Sequence, residues 1–474
     1  MTSGAELVRA TACENVERLK RGDITPHDLL DALEARIAEV DGKVNALPTL
    51  CFDRARAHAD ALMKKPVAER GLLAGMPVPI KDLTDVAGVL TTQGSPIFKD
   101  SIATTSNIVV EHLEASGAVI YAKSNTPEFG AGAQTFNEVF GATLNPWNLS
   151  RSASGSSGGA AAALASGTAW LAHGTDVGGS LRNPASFCGV VGLRPSIGRV
   201  AHSQGAKIDR TISADGPMAR NVEDLALMLD AMSGEDPRDP LSLPVLPTSF
   251  LAAARSGAKP KRVAYSADLG ISPVDPEVAA ITRKAAERLT DAGVIVEEAH
   301  PDFRESIACA HVLRAYDYAL TKGKLLREHR DRLKPEVIWN IEQGLKLTLD
   351  DITRAEAQRV TLTNRANAFF ETYDLLLCPT TIVAPFPVEQ RYLAECNGVK
   401  FDSYVGWLAI VSAITMACCP GLSIPCGFTR ENLPVGLQIV APPRGEARAL
   451  ATGRLLEDIL GLGALTPIDP RPGA

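Results

Sequence analysis

The sequence has no CxxC pair, no HExxH motif, no long apolar run and no excess of basic charge. Its nine cysteines (Cys13, Cys51, Cys188, Cys309, Cys378, Cys396, Cys418, Cys419 and Cys426) are odd in number and show no paired framework. A zinc ribbon or thioredoxin-like redox site is therefore excluded, and the thiols read as free, buried side chains of a reducing compartment. The eight histidines are scattered, so neither a metal nor a cofactor is expected. The longest apolar stretch, Trp407 to Cys419, is interrupted by Ser412 and Thr415 and stopped by Pro420, short of the ~20 residues that span a bilayer. The first residues carry charge from Glu6 onward and have no apolar core, which excludes a secretory signal and points to the cytoplasm. With 48 basic and 55 acidic residues, the formal charge is −7 and the pI about 5.7. That balance excludes the electrostatic footprint of a nucleic-acid partner or a polybasic membrane surface.

What is present is an ordinary soluble composition, 45% hydrophobic and 22% charged over 474 residues, enough to bury a large core. Glycine is placed unevenly. Ten of the 39 glycines lie between Arg151 and Val200, where an even spread would put about four, so backbone there needs unusual geometry or close approach.

Along the chain, Thr25-Pro26 supplies an N-cap and N1 proline before HDLLDALEARIAEV. Pro77 to Ile80 reads as a brief strand weakened by its prolines, and VVEHLEASG followed by AVIYAK as a helix-to-strand step. From Gly141 to Ser157 the pattern is loop, and GGAAAALASG then predicts a helix of bare methyl groups that packs at close range inside the protein. TAWLAH reads as a strand, and NVEDLALMLDAM as a capped helix with Glu223 and Asp224 in its first turn. Gly234 to Pro247 is the best candidate for a region boundary. Beyond it, RVAYS, a helix with Val278, Ile281, Ala285 and Leu289 on one face, and GVIVEEA predict a strand–helix–strand unit. Residues 303–372 read as largely helical and Asp374 to Pro379 as a strand. The alternation predicts an α/β fold around a buried, mixed sheet.

Four features carry chemistry, each beside a bland reading. Around Ser157, GSSGG matches a GxSxG nucleophile elbow, but the residues before it are polar loop rather than apolar strand. A flexible linker is the plain alternative, which the buried-type helix that follows argues against; a third is glycines that bring hydroxyls close to a reacting centre. Asp176-Val177-Gly178-Gly179-Ser180 is either an ordinary glycine turn or a nest of amides for an oxyanion. Lys81, beside Asp82, is by default exposed and paired; buried, its neutral amine is a base. His173, seven residues before Ser180, reads as a strand-core residue rather than the base of a Ser-His relay. Together these supply a nucleophilic hydroxyl, a second hydroxyl, an amine base and an anion-binding turn, which suffices for acyl transfer without histidine or metal.

The chain resembles the amidase signature family in GLLAGMPVPIKDL (71–83), GAVIYAKSNTPEFG (117–130), NPWN followed by SGSSGGAAAALASG (145–148, 154–167), HGTDVGGSLRNPASFCGVVGLRPSIGRV (173–200), DGPMARNVEDLALMLDAM (215–232) and LPVGLQIVAPP (433–443). The resemblance implies one large α/β domain over 1–474, with a mixed, mostly parallel sheet covered by helices on both faces. Its parts are a helical N-terminal portion (1–70), a signature core (71–235), a variable substrate-shaping region (236–400) and a C-terminal part of the core (401–474). It implies a Ser–cis-Ser–Lys triad: Ser180 as nucleophile, Ser156 after a cis peptide bond, and Lys81 as base. Val177, Gly178, Gly179 and Ser180 would supply oxyanion-hole amides, and Gly130, Ser157, Asp176 and Arg182 would bind substrate or support the site. One departure stands out: Ser154 precedes Gly155 where the family usually has Gly-Gly, so a positive φ there would strain the serine. The implied activity is hydrolysis of aryl or alkyl acylamides, with carbamates (urethanes) and esters as further substrates, through an acyl-Ser180 intermediate. A homodimer is compatible with the resemblance. Two rivals are the amidase-like component of a glutamine-dependent tRNA amidotransferase, against which Asn183 stands where that component typically has glutamine, and a non-catalytic binding protein on the same fold.

Overall fold

The computed structural model describes residues 3–202 and 211–473; the part of the expected signature core at 203–210 lies outside them. Two sheets position the site. The larger has eight strands in the spatial order Ile295–Glu298, Arg262–Tyr265, Leu375–Pro379, Pro434–Val440, Gly421–Phe428, Val191–Arg194, Ala214–Ala219 and Leu171–Asp176. It is mixed, as the alternating pattern predicts, but it is not mostly parallel. Only Arg262–Tyr265 pairs in parallel, with strands on either side of it, and the remaining pairings are antiparallel. The reason lies in the connections. The predicted strand–helix–strand unit runs through the helix Pro276–Glu287 and is parallel, as a crossover requires. Gly421–Phe428 and Pro434–Val440 are instead joined by a tight turn, in which Thr429 N–H bonds the Leu433 carbonyl at 2.9 Å.

The smaller sheet has three strands, with Val119–Ser124 between Thr49–Leu50 and Pro77–Lys81. Pro77–Lys81 lies at its edge, where prolines are tolerated. Its register slips between Val78 and Ile80, at Pro79, which has no N–H to give.

The alanine-rich helix Gly158–Ser166 is buried along its whole length. A Cβ on Gly159 would lie 2.3 Å from the Asn125 backbone nitrogen and 2.7 Å from the Ala46 oxygen, so only glycine admits that approach. The stretch from Gly141 to Ser157, expected as loop, contains a hairpin of Leu144–Asn145 with Asn148–Ser152. It is held by Asn145, whose side-chain amide donates to the carbonyls of Ser152 (3.0 Å) and Phe187 (2.8 Å). Hydrophobic periodicity does not report such a side-chain clamp. The three helices Ser306–His329, Pro335–Leu345 and Leu349–Phe369 fill the region read as helical. Among the described residues no helix is long and apolar enough to cross a membrane, and all nine cysteines are free.

Candidate active site

Lys81 ends the edge strand Pro77–Lys81 and is fully buried. Its Nζ lies 2.7 Å from Ser156 Oγ, 2.9 Å from Ser157 Oγ and 2.9 Å from Thr175 Oγ1, hydroxyls on every side. Its sequence neighbour Asp82 points elsewhere, to Lys123 at 3.3 Å. Burial pulls the Lys81 pKa down to about 7, against the opposing charges of Asp176 and Asp215. A lysine at that value has free amine available near neutral pH.

Ser156 follows a cis peptide bond from Gly155. Ser154 has φ +59°, a left-handed conformation that costs a residue with a Cβ ~1–2 kcal/mol. Its Oγ donates to the Ala133 carbonyl at 3.1 Å, and its N–H to Ser152 Oγ at 2.9 Å. Gly130, also at positive φ, approaches the same serine: a Cβ there would stand 3.4 Å from Ser156 Oγ. Ser157 accepts from Lys81 and donates to the Thr175 carbonyl at 3.3 Å, and its N–H bonds the Ser180 carbonyl at 3.2 Å. The serine turn and the Ser180 turn are thereby tied together.

The strand Leu171–Asp176 runs into the turn that carries half-buried Ser180. Gly179 has φ +94°, and a Cβ on it would meet Val411 Cγ2 and the Asn183 amide at 2.7 Å. Asp176 is the anchor. Its carboxylate takes Gly179 N–H (2.9 Å), Leu181 N–H (3.1 Å), Arg182 Nε (3.0 Å) and Arg182 Nη2 (2.9 Å). Burial alone would raise its pKa, but Arg182, by charge and hydrogen bonds, and then Arg194 outweigh burial and hold the carboxyl well below the usual range. Arg182 also donates to the Val411 carbonyl, Gln438 and Thr415. The expected pairing of Asp176 with Arg182 is present. Gly179, expected among the oxyanion donors, has its N–H committed to Asp176, a correction that leaves Val177, Gly178 and Ser180 as the candidate amides.

Residues 28–450 match the family model "Amidase". The chain belongs to the amidase signature family. It is 35% identical over 469 residues to an acylamidase of Rhodococcus erythropolis, covering 97% of each chain. It is 36% identical over 478 residues to the amidase-like component of the glutamyl-tRNA(Gln) amidotransferase of Moorella thermoacetica, covering 95% of this chain and 97% of that one. Among solved structures, a bacterial aryl acylamidase of the amidase signature family superimposes with a TM-score of 0.89 at 27% identity, covering 97% of this chain and 99% of that one. Amidase signature enzymes of this kind are hydrolases of amide C–N bonds that act on small amide substrates.

Within this amidase signature chain, sequence reasoning missed Thr175 as the third hydroxyl on Lys81. The available signal was strand alternation: Thr175 must face opposite to Asp176 on the strand that enters the turn. His173, read as a strand-core residue, is buried. Its Nδ1 accepts the Lys81 backbone N–H at 3.4 Å, and its Nε2 pairs with Asp215 at 2.8 Å. Asp215 also contacts His202. Burial would raise the Asp215 pKa, but the two histidines hold it far below the usual carboxylate range.

Proposed function

We propose that the chain is an acylamidase that cleaves aryl or alkyl acylamides, with carbamates and esters as further substrates, through an acyl-Ser180 intermediate. The observation that carries this reading is the fully buried Lys81 amine, 2.7 Å from Ser156 Oγ and in contact with hydroxyls only. An ammonium has three N–H donors to match three hydroxyl oxygens. When Lys81 is neutral it has two donors and a lone pair, so one hydroxyl must turn and donate to it. Ser157 already directs its proton to the Thr175 carbonyl, which leaves Ser156, at the shortest distance, as the natural donor.

In the proposed acylation, the Ser180 hydroxyl attacks the amide carbonyl carbon and passes its proton to Ser156, which passes its own to Lys81. The N–H groups of Val177, Gly178 and Ser180 stabilise the oxyanion. As the C–N bond breaks, Ser156 protonates the leaving nitrogen and recovers a proton from Lys81. Water then attacks the ester, its proton following the same route, and the Ser180 hydroxyl is restored as the acid departs. Asp176 and Arg182 hold the turn, Gly130 and Ser157 the serine, and region 236–400 shapes the acyl and leaving-group pockets. The name of the Rhodococcus relative supports the substrate class. The test is a hydrolysis panel of anilides, primary amides, carbamates, esters and glutamine on the isolated chain and on Ser180→Ala. Anilide turnover that is abolished in the variant supports the reading; glutaminase activity without anilide turnover favours the amidotransferase component.

A further inference from the structure

Arg314 is a charge near the proposed reacting centre that no carboxylate holds. It lies on the helix Ser306–His329. Its Nε donates to Asn340 Oδ1 at 3.1 Å and its Nη2 to the Tyr404 hydroxyl at 2.9 Å. The rings of Tyr318 and Tyr404 stand 5.2 and 5.8 Å from its guanidinium carbon. Among the described residues no Asp or Glu comes within ion-pair distance of it, and its Nη1 donates to none of them. Arg182, a short way off, has its Nε and both Nη atoms engaged and a bidentate carboxylate.

The Arg314 guanidinium lines a narrow pocket whose other walls include Val177, Gly178, Ser412, Leu408 and Met416. Val177 and Gly178 are two of the proposed oxyanion amides, and a Cβ on Gly178 would stand 3.6 Å from Ser412 Oγ. His311, also at the pocket, is kept neutral by burial and by the charge of Arg314 itself. Arginine does not shed its proton in a protein, and withdrawing such a charge from water without a counter-charge is costly. A guanidinium left open towards a pocket beside the reacting centre is a ready fork for a carboxylate.

We infer that the preferred substrate is an amide bearing a carboxylate, received in this pocket by Arg314 Nη1 with Ser412 Oγ, while Leu408 and Met416 cover the apolar stem between it and the scissile carbonyl. This specificity rests on the acyl-transfer reading of Ser180.

The experiment compares matched anilides. 4-Acetamidobenzoate against 4-methylacetanilide puts the charge on the leaving group; N-phenylsuccinamate against valeranilide puts it on the acyl side. The wild-type enzyme is expected to prefer the acid in one pair by about tenfold or more in kcat/KM, mainly through KM, as befits a charge-assisted contact. Arg314→Met is expected to bring that ratio to within about threefold of unity, and Arg314→Lys to retain part of it. Preference for the neutral partner in both pairs, or an unchanged ratio in Arg314→Met, overturns the inference. Calorimetric titration with benzoate and succinate reads the pocket without turnover: binding by the wild type that Arg314→Met or Arg314→Lys weakens supports the site, and no binding by the wild type overturns it. Absence of any anilide turnover by the wild type contradicts the acyl-transfer reading instead, and the titration still decides the pocket.

Discussion

Arg182 closes on Asp176 with two hydrogen bonds, Nε to Oδ2 at 3.0 Å and Nη2 to Oδ1 at 2.9 Å, and the same Oδ1 takes the Gly179 N–H at 2.9 Å. The ion pair is fully buried and fixes the turn that carries Ser180. Breaking such a pair from one side leaves an uncompensated charge, which costs about 3–5 kcal/mol. Arg182→Met is therefore expected to lower the unfolding free energy in urea by that amount and to depress turnover. A loss below about 1 kcal/mol would mean that Asp176 is satisfied without it.

The acidic limb of activity should follow Lys81. Its amine must be free to accept a proton, and burial sets its pKa at about 7, so kcat/KM is expected to rise with pH through that value. The negative charge of Asp215 favours the protonated amine. Asp215→Asn removes that charge and is expected to move the limb to lower pH; a limb that stays in place or moves upward contradicts the assignment. The pH dependence of anilide hydrolysis by the two proteins measures it.

Two glycines on helices should respond with opposite signs. A Cβ on Gly159 would meet backbone atoms at 2.3 and 2.7 Å, so Gly159→Ala is expected to destabilise by ~1–3 kcal/mol. Gly42, inside the helix Pro26–Val44, has nothing within 4 Å of that position. Gly42→Ala is expected to stabilise by roughly 0.5–1 kcal/mol, the helix penalty of glycine. Paired thermal or denaturant unfolding checks both signs.

The legible parts of this protein were those in which local chemistry decides the geometry. The glycine excess between Arg151 and Val200 marked the two turns because positive φ and close approach both select glycine. The bare alanine helix was readable as buried because nothing else would shield its methyl face. The positive φ of Ser154 followed from its place before Gly155. Strand direction was not readable: short apolar runs look alike in parallel and antiparallel sheets, and only the tight turn between Gly421–Phe428 and Pro434–Val440 reveals the difference. Contacts distant in sequence were also hidden. Thr175 meets Lys81 across 94 residues and Asp215 meets His173 across 42, and neither pairing leaves a local pattern. The partner of Asp82 is Lys123 rather than the adjacent Lys81, because successive side chains of a strand point to opposite faces.

The most direct measurement of the central claim is to treat the protein with a fluorophosphonate and locate the adduct by peptide mass spectrometry. The account predicts a single adduct on Ser180, absent from Ser180→Ala and formed much more slowly in Lys81→Ala. An adduct on another residue, or labelling of Ser180→Ala at the wild-type rate, would contradict it.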